Sequence, residues 1–479
     1  MMTKLPHPFF DPHAQRETKP WVIVFAFGIS LCLYLLLPLE SELRAGLAML
    51  VLVGILWFSE AMPLTFTSLL IPVLAAISGL SEIGTTLSHF AHPIIFLFLG
   101  GFALAAALSK HHLDTLIGEK IIQHAQTQPI YACYAMFVMT AFLSMWISNT
   151  ATAAMMLPIA LGIAHRFGTE NASAKLFLLL GMAYSANIGG IATLIGSPPN
   201  AIAAATFNLS FFDWLKIGFP FSLLLFISMV WLLKKLIKPD LRLATEPSSE
   251  KLNLETNAEQ AEPVIQIQHT SLPLSWPQYK VILIFLGTVS AWILSQPLAK
   301  ALNINSSGFD SLVALAALVI LGISGSLSWK EIERNSNWGI LLLFGGGLAL
   351  SHILSSSGTS AFIAQGIHYL LLDQPLLITL LLMTSCVVFL TEMVSNTASA
   401  ALLIPLLTGV AESLGISAII IAALIAISAS CAFMLPVATP PNAIVYSSGF
   451  VPQASMIKTG FYLNISCILI ISLVCFWML

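Results

Sequence analysis

Ser148-Asn149-Thr150 and Ser395-Asn396-Thr397 interrupt two long apolar runs, 129–165 and 375–411, near their middles. Each tripeptide brings two hydroxyls and a carboxamide, groups that both donate and accept hydrogen bonds. Further along each half stands a second break, Ser197-Pro198-Pro199-Asn200 and Thr439-Pro440-Pro441-Asn442. A hydroxyl residue before proline is a helix-start signature. Thr150 and Thr397 can open the second arms of the two apolar runs in the same way. Four helix N-termini would then face one point. Each carries free N–H groups and about half a positive charge, and together they cradle an anion without a basic side chain. No Lys or Arg lies near these motifs. Asn149, Thr150, Ser197, Asn396, Thr397 and Thr439 would orient the anion. The breaks also expose carbonyls at the ends of the preceding half-helices. With Asn and Ser oxygens these suit a monovalent cation such as Na⁺, and two copies imply two cation sites.

The elements that must position these groups lie in lipid. Of 479 residues 57% are hydrophobic and only 9% charged, against about 25% charged in soluble domains. The apolar runs are long and continuous, so the chain spans by helices and not by barrel strands. They fall near 21–38, 45–60, 63–80, 92–109, 129–165, 174–207, 214–236, 278–296, 309–327, 337–355, 375–411, 418–446 and 456–478. With 129–165 and 375–411 taken as re-entrant hairpins, this predicts an all-α polytopic fold of eleven transmembrane helices plus two hairpins. A cytoplasmic N-terminus then places all nineteen Lys and Arg on the cytoplasmic side except Arg44, Lys216 and Lys300, a strong positive-inside bias. Residues 1–20 form a cytoplasmic tail, 21–237 and 276–479 two halves, and the polar stretch 238–275 a cytoplasmic linker. The C-terminus falls outside. The net charge of −3 points to no macromolecular partner, and nucleic acid is not expected.

The halves repeat. Phe98–Leu104 echoes Phe344–Leu350, Ser148–Pro158 echoes Ser395–Pro405, and Gly196–Ile202 echoes Ala438–Ile444, in one order at a nearly constant offset. Five crossings separate the two tripeptides (174–207, 214–236, 278–296, 309–327 and 337–355). The number is odd, so the second motif enters from the opposite face. Such inverted repeats with broken helices bind their cargo near the bilayer midplane.

Other features read more plainly. A lone Ser-Asn-Thr is more often interhelical glue; duplication beside a Pro-Pro-Asn break argues against that here. The Gly100-Gly101 and Gly345–Gly347 runs are close-packing positions. His111, His112 and Asp114 look like a metal triplet but belong to a solvated helix end. Glu392 stands at membrane depth, where an acid is costly; it is read as structural, with proton coupling as the rival. Glu60 is interfacial, and the six cysteines are small packing residues.

Together with Trp57-Phe58-Ser59-Glu60-Ala61-Met62-Pro63, the paired motifs and breaks resemble the divalent anion:sodium symporter (DASS) family over about residues 20–479. The resemblance implies a homodimer that moves its site by an elevator motion. It also implies C4-dicarboxylates such as succinate, malate or fumarate as cargo, driven by Na⁺. Carried over by position, one Na⁺ site would use Ser144, Ser148, Asn149 and the Gly196 carbonyl. The other would use Thr391, Val394, Asn396 and Ala438, with Val394 and Ala438 lending carbonyls. The dianion would meet Asn149, Thr150, Ser197, Asn396, Thr397 and the Thr439-Pro440 turn. Two Ser-Asn-Thr copies look more like the family's dicarboxylate carriers than its sulfate carriers.

The expectation is therefore a Na⁺-coupled dicarboxylate importer of the inner membrane. The rivals are a Na⁺-independent exchanger on the same fold, a carrier of sulfate or another oxyanion, and an anion channel. No HExxH, GxSxG or convergent acid–base pair suggests an enzyme.

Overall fold

The computed structural model describes residues 18–113, 129–167, 171–241, 274–304, 308–371 and 374–479. Most of the 1–20 tail, most of the 238–275 linker, and Asp114 of the histidine-rich triplet lie outside them. Among the described residues all regular structure is helical. Every apolar segment expected from the sequence is covered by helix, with 129–165, 174–207, 375–411 and 418–446 each split in two by a break. Among the described residues five helices are both apolar and 18 residues or longer: Ser41–Ser59, Ile83–Lys110, Phe211–Ile237, Trp338–Ser356 and Gln453–Met478. Others, such as Pro20–Leu36 and Phe309–Ile323, are equally apolar but shorter. Trp276–Ile293 runs into Ser295–Ala301 through an 83° bend.

The outer surface is apolar. Trp21, Trp231, Ile323 and Trp477 are each more than half exposed, a distribution that water does not tolerate over so large an area and that lipid requires. This is a multi-pass membrane protein. Helix contacts inside it close on small residues. A Cβ at Gly100 would meet the Ala314 carbonyl at 2.6 Å, and one at Gly346 would meet Ser68 Cβ at 2.5 Å. Both glycine runs are packing positions, as their composition implied.

Side-chain contacts sort the connecting loops into two sets. At one end Lys110 pairs with Glu331 at 2.8 Å, and Gln278 reaches the His111 carbonyl at 3.0 Å. At the other, Asp310 accepts from Phe211 N at 2.6 Å and Ser311 reaches the Pro93 carbonyl at 2.6 Å. Helix starts here carry local caps. Ser210 with Asp213, Ser275 with Gln278 and Ser328 with Glu331 each form a reciprocal capping box, satisfying N–H groups that lipid cannot.

Four helices of 16–18 residues stand in two consecutive pairs, each pair joined through a short break. Pro129–Ser144 and Asn149–His165 make the first hairpin, Leu376–Thr391 and Asn396–Ser413 the second. Ala172–Gly189 breaks before Pro198–Thr206, and Ala418–Ala429 breaks before Pro440–Ser447. The short helices change partners across the repeats. Pro198–Thr206 packs on Asn396–Ser413 and Ala418–Ala429, while Pro440–Ser447 packs on Asn149–His165 and Ala172–Gly189. Hairpins and breaks are thereby interlocked.

Candidate functional site

The hairpins begin their second arms two residues earlier than expected. Ser148 and Ser395 are the N-caps, with Ser148 Oγ accepting from Ala151 N at 3.3 Å. Thr150 and Thr397 therefore sit in the first turns and do not cap. Ser197 and Thr439 do occupy the N-cap positions of their short helices, each with proline following.

Each break is fastened by the Asn after its two prolines. Asn200 Nδ2 donates to the carbonyls of Gly190 at 2.9 Å and Thr193 at 2.8 Å, ten and seven residues upstream. Asn442 Nδ2 donates to Ala432 at 3.2 Å and Leu435 at 3.1 Å, again ten and seven residues upstream. Non-helical backbone at this depth needs such partners.

Two oxygen clusters result. In the first, Ser144 Oγ donates to the Ala186 carbonyl at 2.6 Å. The Asn149 carboxamide lies 2.6 Å from Ser144 Oγ, 3.1 Å from the Ala186 carbonyl and 3.2 Å from that of Gly196. With its nitrogen inward, the amide has two hydrogens for these three acceptors and satisfies two of them as a donor. With its oxygen inward, four oxygens crowd one spot with a single hydroxyl proton among them, and a cation relieves that repulsion. Gly190 makes the space, since a Cβ there would strike the Asn149 amide, and a Cβ on Gly196 would strike the Gly190 backbone beside it. In the second cluster Thr391 Oγ1 donates to Asn396 Oδ1 at 2.7 Å and to the Ala429 carbonyl at 2.9 Å. The donor set, neutral oxygens from hydroxyl, amide and carbonyl, suits Na⁺.

Both clusters border one cavity of about 1520 Å³. Its wall includes Ser148, Asn149, Thr150, Gly196, Ser197, Val394, Asn396, Thr397, Ala438, Thr439 and Pro440. Four helix N-termini thus meet on one space. Lys19 is the one basic residue of the described lining; it is exposed and donates to the Ser59 carbonyl at 2.9 Å.

The comparisons decide the family. The citrate transporter family (CitMHS) matches residues 54–426. The chain belongs to that family. An uncharacterized transporter of Haemophilus influenzae is 46% identical over 453 residues, covering 94% of this chain and 95% of the relative. The sodium-dependent dicarboxylate transporter SdcS of Staphylococcus saprophyticus is 31% identical over 446 residues, covering 88% and 83%. The resemblance to sodium-coupled divalent-anion carriers is borne out. The crystal structure of the Alcanivorax borkumensis YdaH transporter aligns over 95% of this chain and 96% of that one, with TM-score 0.57 and 12% identity, and shares the fold. The protein is a transporter and not an enzyme.

In this citrate transporter family member, several interior residues lacked a sequence signal. The Ala186 and Ala429 carbonyls, which complete the clusters, are anonymous in sequence. Asn187 and Ser430 cross between repeats. Asn187 Nδ2 donates to Thr439 Oγ1 at 3.0 Å, and Ser430 Oγ meets Ser197 Oγ at 3.1 Å. Glu392 is buried, and its carboxylate accepts from Phe433 N at 2.7 Å, Met434 N at 2.8 Å, Leu435 N at 3.1 Å and Asn464 Nδ2 at 2.7 Å. It clamps the second break, the structural role expected for it. The first repeat has Met145 at this place and ties its break through Thr193, whose hydroxyl donates to the Met145 carbonyl and accepts from Gly196 N at 3.2 Å.

The repeats are unequally covered. Trp146 at the first hairpin tip packs against Phe285 with ring centroids 5.3 Å apart and stacks on Phe211 at 6.2 Å. Its counterpart Met393 is 81% exposed. Likewise Ile195 is buried, lying 3.2 Å from where a Gly101 Cβ would stand, while its counterpart Val437 is 82% exposed in the cavity wall.

Proposed function

We propose that this transporter imports C4-dicarboxylates such as succinate, malate and fumarate, coupled to Na⁺. The observation that carries the reading is one cavity flanked by two clusters of hydroxyl, amide and carbonyl groups and met by four helix N-termini. The helix ends and the Asn149, Thr150, Ser197, Asn396, Thr397 and Thr439 side chains, with the Pro440 turn, receive two carboxylates. Ser144, Ser148, Asn149 and the Gly196 carbonyl, with that of Ala186, hold one Na⁺. Thr391, Asn396 and the carbonyls of Val394, Ala438 and Ala429 hold the other.

Coupling follows from electrostatics. Burying a dianion away from water is costly, and two cations within a few ångströms offset that cost. Asn149 and Asn396 belong to both kinds of site, so cation binding orients the groups that the anion meets. The name of the SdcS relative supports this choice of cargo and ion.

In this reading eleven helices cross the inner membrane, with the N-terminus cytoplasmic and the C-terminus outside. The hairpins re-enter from opposite faces. The interlocked hairpins and breaks move as one body in an elevator motion within a homodimer.

The test is labelled succinate uptake by purified protein in proteoliposomes, with an inward Na⁺ gradient or K⁺ in its place. Accumulation that requires Na⁺ supports the symporter. Uptake indifferent to Na⁺ but dependent on internal dicarboxylate replaces it with an exchanger. Absence of uptake in both conditions rejects the cargo, and citrate, sulfate and phosphate are tried next.

A further inference from the structure

Asn187 occupies the last turn of Ala172–Gly189, and it reaches from the first oxygen cluster to the second repeat. The preceding residue, Ala186, places its carbonyl in the first oxygen cluster, where it receives Ser144 Oγ at 2.6 Å. The Asn187 side chain leaves in another direction and crosses to the second repeat, where Nδ2 donates to Thr439 Oγ1 at 3.0 Å. The residue is 1% exposed yet borders the cavity.

The direction of that bond matters. Thr439 Oγ1 also accepts from Asn442 N at 3.5 Å. A hydroxyl with both lone pairs engaged keeps only its hydrogen to offer, and among the described residues that hydrogen has no acceptor. It is available to an anion in the cavity. The corresponding crossing in the other direction is a pair of hydroxyls, Ser197 and Ser430, in which either can donate. Ser430 has one hydrogen, and the Ala426 carbonyl at 3.2 Å competes with Ser197 for it. That crossing fixes no direction.

We propose that Asn187 is a positioning residue that fixes the Thr439 hydroxyl as a donor to the carried anion and links it to the first cation cluster through the Ala186–Asn187 peptide. The proposal rests on the Na⁺-coupled dicarboxylate reading above. It gives the coupling a route: a cation held by Ser144, Asn149 and the Ala186 carbonyl steadies the peptide from which Asn187 reaches Thr439.

The experiment is a double-mutant cycle on succinate uptake in proteoliposomes, with KM for succinate and half-saturation for Na⁺ measured for each variant. Asn187→Ala should raise KM about tenfold, the weight of one hydrogen bond to a charged group. In a Thr439→Val background the same change should raise it no further, because the bond it orients is already gone. In a Thr439→Ser background, which keeps the hydroxyl, the tenfold effect should return. Asn187→Asp should exceed Asn187→Ala, since a carboxylate would take the Thr439 hydrogen for itself. A damaged fold would depress uptake equally in all three backgrounds, and that result overturns the proposal. So does a tenfold KM effect that persists in Thr439→Val, or an unchanged KM in the single variant. Wild-type protein showing no Na⁺-dependent succinate uptake defeats the underlying reading as well; Na⁺-dependent wild type with a persistent effect defeats this proposal alone.

Discussion

Glu392→Gln separates a structural acid from a proton carrier. The carboxylate receives four donors, three of them backbone N–H groups of the second break. Phe433 N, Met434 N and Asn464 Nδ2 all meet Oε1, and Leu435 N meets Oε2. In the Gln variant the amide oxygen can take the Oε1 place, and its nitrogen then confronts Leu435 N. Bonds to a charged acceptor are worth about 1.5–3 kcal/mol each and neutral ones about 0.5–1.5, so three weakened bonds cost roughly 3 kcal/mol. The orphaned Leu435 N–H adds about 1–3 kcal/mol. Sparing the burial of a charge returns part of this, leaving a net loss of about 2 kcal/mol. Glu392→Ala orphans every donor and should cost about 6 kcal/mol before the same offset. The loss falls on the segment that carries Ala438 and Thr439. Half-saturation for Na⁺ should therefore rise by about thirtyfold for Gln, alongside a lower melting temperature in detergent. Both are read by Na⁺ titration of uptake and a thermal melt monitored by size exclusion. Unchanged melting with uptake that has lost its pH dependence would refute the clamp and install the proton carrier in its place.

Asn149→Ala removes the one side chain shared by the first cation cluster and the anion face. Uptake should vanish while the protein remains folded and monodisperse, and near-normal uptake would remove Asn149 from the site. Thr397→Val keeps shape and deletes a hydroxyl, so KM for succinate should rise about tenfold with Na⁺ half-saturation little changed; an unaltered KM dissociates Thr397 from the anion. Gly190→Ala drives a methyl toward the Asn149 amide and to 2.9 Å from the Gly196 carbonyl. Overpacking costs about 1–3 kcal/mol, so Na⁺ half-saturation should rise about tenfold or more. Gly162→Ala, with nothing within 4 Å, serves as the matched control and should match wild type.

The motifs that line the cavity are more legible in the sequence than some of the helices around them. Ser-Asn-Thr and Pro-Pro-Asn are legible because polar groups and prolines are costly within apolar helices, so their presence needs a reason. The caps were misplaced by two residues, because Ser148 and Thr150 carry the same chemistry and only backbone geometry distinguishes them. The Ala186 and Ala429 carbonyls were invisible, since a backbone oxygen leaves no mark on residue type. Thr359–Leu371 was not foreseen as a helix: it is short and mixes Thr, Gln and His with its apolar residues, and it is held by packing along Asn396–Ser413. Asn187 has no mark in the sequence beyond being a polar residue near a break. Its meaning lies in a contact 252 positions away.

The uneven cover of Trp146 with Ile195 and of Met393 with Val437 bears on what decides the direction of travel. Were the two repeats to trade environments, a half-buried tryptophan and a buried isoleucine would come out as a methionine and valine went in. At about 25 cal/mol per Å² of apolar surface, the two sides of that exchange differ by little. The protein would then favour neither posture strongly by itself. A balance so nearly level is tipped by what rests on it, and a ligand that holds one posture even a few kcal/mol better than the other selects it almost completely. The gradients of ion and anion would supply the weight, and the chain only the fulcrum.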